Sequence, residues 1–226
     1  MTRNIRRGIF LNLDGTLADS LGVMRDVFER FAAAHDAPAS DEVFASVNGP
    51  PLPLAVAKLK RSWSLPHSLD QLLPRYTALI DSAFADVTPS PGAAETLETA
   101  FRNGWAVGVV TSNATARTRA WLARTRLANF VDIVVGGDDV VLGKPEPEPY
   151  GIALMRSGCA RELSIAVEHS LSGAKSSLGA GIRTYGYAPD DRPAAEWPES
   201  VRLIGALDEL IPELERQRLR RVAGRR

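Results

Sequence analysis

The chain has 226 residues, with 27 basic and 27 acidic side chains, three His and a single Cys. That length suits one large domain or a core with a smaller insertion, and 45% hydrophobic residues are ample for a packed interior and too many for a disordered chain. Zero formal charge argues against partnership with nucleic acid or an acidic membrane, and the lone Cys159 excludes an internal disulfide framework, so the expected compartment is the reducing cytoplasm.

A basic flank and an apolar stretch open the sequence, but Asn12 and Asp14 interrupt the stretch, so no secretory signal is expected. No run reaches the ~18 apolar residues that would span a membrane. The first strand is expected at Gly8-Ile9-Phe10-Leu11-Asn12-Leu13, closed by the turn-forming pair Asp14-Gly15. From Leu21 to about Asp86 the period is helical: Val23, Val27 and Phe31 recur every four residues, with Met24 and Phe28 beside them. Asn48-Gly49-Pro50-Pro51 and Leu65-Pro66 punctuate this region, and Thr88-Pro89-Ser90-Pro91-Gly92 closes it.

Beyond that proline-rich segment, strands alternate with helices. Strands are expected at Ala106 to Val110, Ile133 to Val135, Ser164 to Val167 and Arg183 to Tyr187, with an edge strand at Val201 to Ile204 and a last helix from about Leu207. This alternation predicts an α/β fold, a Rossmann-like parallel sheet core with helices on both faces, and a helical module inserted after the first strand. The expected division is a core of residues 1–20 and 87–226 and a helical insert of residues 21–86. Six Arg residues lie between Arg216 and Arg226 and read as a solvated helix end.

Four polar clusters are expected at strand ends, where ligands bind in such sheets. They are Asn12-Leu13-Asp14-Gly15-Thr16, Thr111-Ser112-Asn113, Gly143-Lys144-Pro145 and Glu168-His169-Ser170. Alone, each is weak; an Asp-Gly-Thr turn is common, and by itself Asp14 reads as a turn-capping carboxylate on the Gly15 and Thr16 amides. In order, they resemble the four motifs of the haloacid dehalogenase-like superfamily of phosphohydrolases. Within it the chain is most similar to the phosphoglycolate phosphatase and β-phosphoglucomutase-like branch, whose helical cap occupies the place of the insert.

The resemblance implies a nucleophilic Asp at position 12, with Asp14 as general acid and base. It implies phosphate or anion binding by Thr111, Ser112, Asn113 and Lys144, aided by amides at the start of the next helix. It further implies Mg²⁺ held by Asp14, Glu168 and an Asp at position 169. The sequence departs from this pattern twice. Position 12 is Asn, a carboxamide with no anionic oxygen, which cannot form an aspartyl-phosphate. Position 169 is His, and imidazole suits zinc, copper or nickel better than magnesium.

Asn12, Asp14 and His169 are therefore the candidate catalytic positions, while Asp14 and Glu168 are reduced candidates for a metal, with Mg²⁺ expected to bind weakly or not at all. An Asp-to-Asn change made to trap substrate would explain Asn12 and leave His169 unaccounted for; divergence explains both. His169 is a residue of relaxed constraint, a new base or ligand beside Asp14, or an unusual metal ligand. The expected function is binding of a small phosphorylated or acidic metabolite without ordinary phosphatase turnover, with altered acid/base chemistry as the alternative. Lys58 and Arg61, at helical spacing, read as an exposed face.

Overall fold

The protein is described here from a computed structural model covering residues 6–189 and 196–216. The N-terminal flank up to residue 5 and the Arg-rich run beyond residue 216 lie outside the described residues, so the readings made on them stand only as sequence expectations. Six parallel strands form one sheet in the order β3-β2-β1-β4-β5-β6. They are β1 (Gly8–Leu11), β2 (Ala106–Val110), β3 (Ile133–Val135), β4 (Ile165–Glu168), β5 (Arg183–Tyr187) and β6 (Arg202–Ile204).

The strands β1, β2 and β4 are buried along their whole length. Their side chains alternate between two apolar layers, Ile9 and Leu11 facing one and Phe10 the other. Both faces need covering, which is why these strands read as continuous apolar runs instead of polar–apolar alternation. Phe10 packs in the smaller layer with Val110, Val135 and Tyr150. Chain order reverses at β1, whose neighbours are β2 on one side and β4 on the other. A crevice at the carboxyl ends of the strands follows from that reversal.

Between β1 and β2 stand α1 (Leu21–Ala33), α2 (Asp41–Val47), α3 (Leu52–Ser62), α4 (Leu69–Phe84) and then α5 (Ala93–Arg102). The first four form the inserted helical cap. Its interior is aromatic: Phe31 stands edge-on to Tyr76 with ring centroids 4.8 Å apart, and Phe28 packs on Phe44 at 5.3 Å. The Asn48–Pro51 punctuation separates α2 from α3, as its composition requires. The two passages between cap and core run side by side, with the Asp19 N–H on the Thr88 carbonyl at 3.0 Å and the Ser90 N–H on Leu17 at 2.9 Å.

After β2 come α6 (Thr115–Arg124), α7 (Glu148–Ser157) and α8 (Leu171–Gly179). The chain from Leu207 begins with a 3-10 turn, Leu207–Leu210, before continuing as α-helix over residues 211–216. Cys159 is half-buried and its thiol is pushed up by burial, in keeping with a packing role. Lys58 is half-buried and donates to the Ser46 carbonyl at 2.8 Å, while Arg61 is exposed.

Candidate active site

The sheet itself places the first two groups. Asn12 follows β1 directly, its N–H extending the ladder to the Val167 carbonyl at 3.0 Å, and Glu168 ends β4 with no exposed surface. Lys144 arrives differently from the sequence expectation. No strand leads to it; it lies on the irregular loop between β3 and α7, and reaches back to the strand ends from there. Its ammonium donates to Asn12 Oδ1 at 3.0 Å, to the Val110 carbonyl at 2.9 Å and to Glu168 Oε1. An ammonium has three hydrogens, and all three are used. Lys144 therefore fixes Asn12 and neutralises Glu168, and it also lines the crevice.

Glu168 is fully enclosed. Beyond Lys144, its Oε1 accepts the Tyr150 hydroxyl at 2.6 Å, while Oε2 is buried with no hydrogen-bond partner. Gly173 closes over that oxygen; a Cβ there would lie 2.0 Å from Oε2, so no larger residue fits without moving the carboxylate. Burial pushes the Glu168 carboxyl above its usual range, and Lys144 and Tyr150 draw it part of the way back. The group sits behind Lys144 and does not line the crevice.

Donor logic orients the Asn12 amide. Lysine can only donate, so Oδ1 faces Lys144 and Nδ2 faces the other way, donating to the Asp14 carbonyl at 2.8 Å and to His169 Nδ1 at 3.0 Å. His169 Nδ1 must then accept, which makes the ring neutral with its hydrogen on Nε2. An Asp at position 12 would set a carboxylate oxygen against that lone pair. Asn12 and His169 thus complement each other as amide donor and imidazole acceptor.

Asp14 lines the crevice beside Asn12. Its Oδ1 accepts the Ser20 hydroxyl at 3.0 Å and its Oδ2 the Asn113 amide at 3.4 Å. The turn-capping alternative fails, because the Gly15 N–H bonds the Ala18 carbonyl at 2.9 Å and the Thr16 N–H bonds Leu13 at 3.1 Å. Gly15 adopts a φ of 68°, the left-handed region in which glycine is unstrained, and so turns Asp14 toward the crevice. Burial raises the Asp14 carboxyl above its ordinary range; Ser20, Asn113, Lys144 and Arg117 oppose the shift.

Thr111, Ser112 and Asn113 leave β2 and lead into α6, as expected. The helix amides, however, are already engaged: Ala114 N–H donates to Asn113 Oδ1 at 3.0 Å and Thr115 N–H to Asp138 Oδ1 at 2.8 Å. Asn113 N–H goes to Thr111 Oγ1 at 3.1 Å. What faces the crevice unused is the hydroxyl hydrogen of Thr111 and the whole Ser112 hydroxyl, neither of which meets an acceptor among the described residues. Sequence reading missed Arg117. It lies one helical turn beyond Asn113, donates to Asn113 Oδ1, pairs with Asp81 of the cap at 2.6 Å, and lines the same crevice. Its spacing of four from Asn113 was the available signal, since i and i+4 share a helix face.

Together these groups bound a cavity of about 350 Å³ between core and cap, a size suited to a small metabolite. The donor set does not fit Mg²⁺, which takes near-octahedral oxygen ligands. Glu168 lies behind a lysine, His169 offers nitrogen, and among the described residues no group of three or more His, Cys, Asp or Glu is arranged to hold a metal ion.

Residues 9–187 match the haloacid dehalogenase-like hydrolase family. The chain belongs to the haloacid dehalogenase-like hydrolases. It is 26% identical over 220 residues to the phosphoglycolate phosphatase of Yersinia pseudotuberculosis, covering 92% of this chain and 93% of that protein. It is 32% identical over 174 residues to the validoxylamine A 7'-phosphate phosphatase of Streptomyces hygroscopicus, covering 76% of this chain and 80% of that one. Among solved structures it resembles CbbY from Rhodobacter sphaeroides in complex with phosphate, with a TM-score of 0.78, 24% identity, and coverage of 91% and 96% of the two chains. This haloacid dehalogenase-like chain is therefore phosphatase-like in sequence and fold, and among its described residues no helix is long and apolar enough to cross a membrane.

Proposed function

We propose that this chain binds a small phosphorylated or acidic metabolite in the cavity between core and cap and does not turn it over by ordinary phosphatase chemistry, with residues 21–86 acting as the cap and the cytoplasm as its compartment. The observation that carries this reading is the state of Asn12. A neutral carboxamide stands where the family resemblance implies a nucleophile, held by Lys144 on one side and His169 on the other. It has no anionic oxygen with which to attack phosphorus. The acid group of the ligand meets the Thr111 and Ser112 hydroxyls and the Arg117 guanidinium. Burial raises the Asp14 carboxyl above its ordinary range, which eases the approach of an anionic group.

Calorimetry with inorganic phosphate, with and without millimolar MgCl₂, tests the binding half. Phosphate should bind equally in both, and Thr111→Val with Ser112→Ala should abolish it. A panel of phosphate esters assayed with Mg²⁺ tests the other half: turnover by the unmodified chain overturns the reading. A second reading, acid/base chemistry at Asp14, is favoured by the same raised carboxyl facing the cavity. It requires that Asp14→Asn abolish turnover of the substrate while phosphate binding persists.

A further inference from the structure

The two sides of the cavity differ in kind. On the core side stand Asp14, Arg117, Asp138, Lys144 and His169 with the two unused hydroxyls. On the cap side stand Met24, Val47, Leu52, Ala55, Leu73 and Ile80, with the proline-rich residues 49–53 at the rim. Asn48, Tyr76 and Thr77 are the polar residues on that wall, and among the described residues no charged cap side chain lines it. Tyr76 is itself almost fully buried, and that burial pushes its hydroxyl up to about 12, so it stays neutral.

A ligand with a second phosphate would leave that group facing an uncharged, apolar wall, where desolvating it is costly. A polyhydroxylated body would lose hydrogen bonds to water and regain few. The core side offers little positive charge for a second anion, because Lys144 is paired with Glu168 and Arg117 with Asp81.

We infer that the ligand class of this site is an organic acid or phosphate monoester with one anionic head and an apolar body, the head on Thr111, Ser112 and Arg117 and the body against the cap helices. This rests on the binding reading above and narrows it to a chemical class. Polyols, sugar phosphates and bisphosphates are disfavoured by the wall, whatever their head group.

The test is a calorimetric series on the full chain: inorganic phosphate, then methyl, butyl and hexyl phosphate, with glucose 6-phosphate and fructose 1,6-bisphosphate as hydrophilic controls and butyrate and hexanoate as the carboxylate arm. Affinity should climb by about fourfold per methylene that the cap wall covers. The sugar phosphates should bind no tighter than methyl phosphate. Leu52→Gln and Leu73→Gln, both only partly buried, should flatten the chain-length dependence, read as the ratio of hexyl to methyl phosphate affinity. Binding of phosphate with no chain-length dependence, or with preference for a sugar phosphate, overturns the inference alone. Absence of binding by every phosphate and carboxylate in the series overturns the binding reading beneath it.

Discussion

The floor of the cavity and its cap wall are built by different rules. On the floor nearly every polar group has a named partner: Lys144 has three acceptors, Asn12 is held at both ends, and the first amides of α6 are capped by Asn113 and Asp138. The wall has almost no polar bonds to make, and its residues are fixed by apolar packing within the cap. The difference teaches where each part of the function resides. The floor decides what chemistry is possible, and here its centre is a lysine–amide–imidazole network. The wall decides only what shape and polarity of molecule is admitted.

The sharpest way to break this contrast is to remove the centre of the floor. Lys144→Met strips a fully buried carboxylate of its cation, so unfolding free energy should fall by about 3–5 kcal/mol in urea titrations. The loss should grow with pH. Burial already raises the Glu168 carboxyl, so the folded chain holds that proton more tightly than the unfolded chain does. Stability is then lost as pH rises from the ordinary carboxylate range through the folded value, and without Lys144 the slope steepens. A pH-independent loss of under 1 kcal/mol would show that the ammonium is not the floor's central tie.

How much of this was readable beforehand divides along the same line. Asn12, Thr111 and Glu168 could be placed because each closes an apolar run, and a strand's end is marked by its own sequence. The alternation of strands and helices fixed the sheet class for a similar reason, being a local period repeated along the chain. Lys144 could be named from its Gly-Lys-Pro setting, yet its three acceptors lie 24, 34 and 132 residues away, and no local period encodes distances of that kind. Arg117 was missed because a basic residue on a helix resembles a solvated one until its neighbours are known. Asp138 capping α6 across 23 residues was hidden for the same reason. The wall was readable only as amphipathic helices; that several of their residues line a cavity is a tertiary fact.

A smaller disturbance of the floor is Asn12→Asp. The new oxygen faces the lone pair on His169 Nδ1, so the ring must move its hydrogen to Nδ1 or take a second one. The expected destabilisation is about 1–2 kcal/mol, with His169 changing its ¹⁵N signature from the Nε2–H form. An unchanged signature would show that Asn12 does not set the His169 tautomer. Smaller still is Asp14→Asn. Because the Asp14 carboxyl is raised, the charged form is the disfavoured one, so removing the charge should stabilise the fold at pH 7 and the gain should disappear as pH falls toward 4. A gain that persists at low pH would assign the effect to packing instead.

The slightest expected effect lies where floor and wall touch. Asp81 of α4 reaches Arg117 across the cavity margin, but its side chain is 57% exposed, so the pair is largely screened by water. Asp81→Asn should therefore change stability by no more than about 0.5 kcal/mol, and 0.5 M NaCl should erase even that difference. The consequence for binding runs the other way. Arg117 is only 11% exposed and divides its guanidinium between Asp81 and Asn113. Released from the carboxylate, it has more charge to offer an anionic head, and inorganic phosphate should bind more tightly at low salt. Weaker binding would mean that Asp81 acts by aiming the guanidinium into the cavity, and the wall would then contribute to recognition of the acid group as well as of the apolar body.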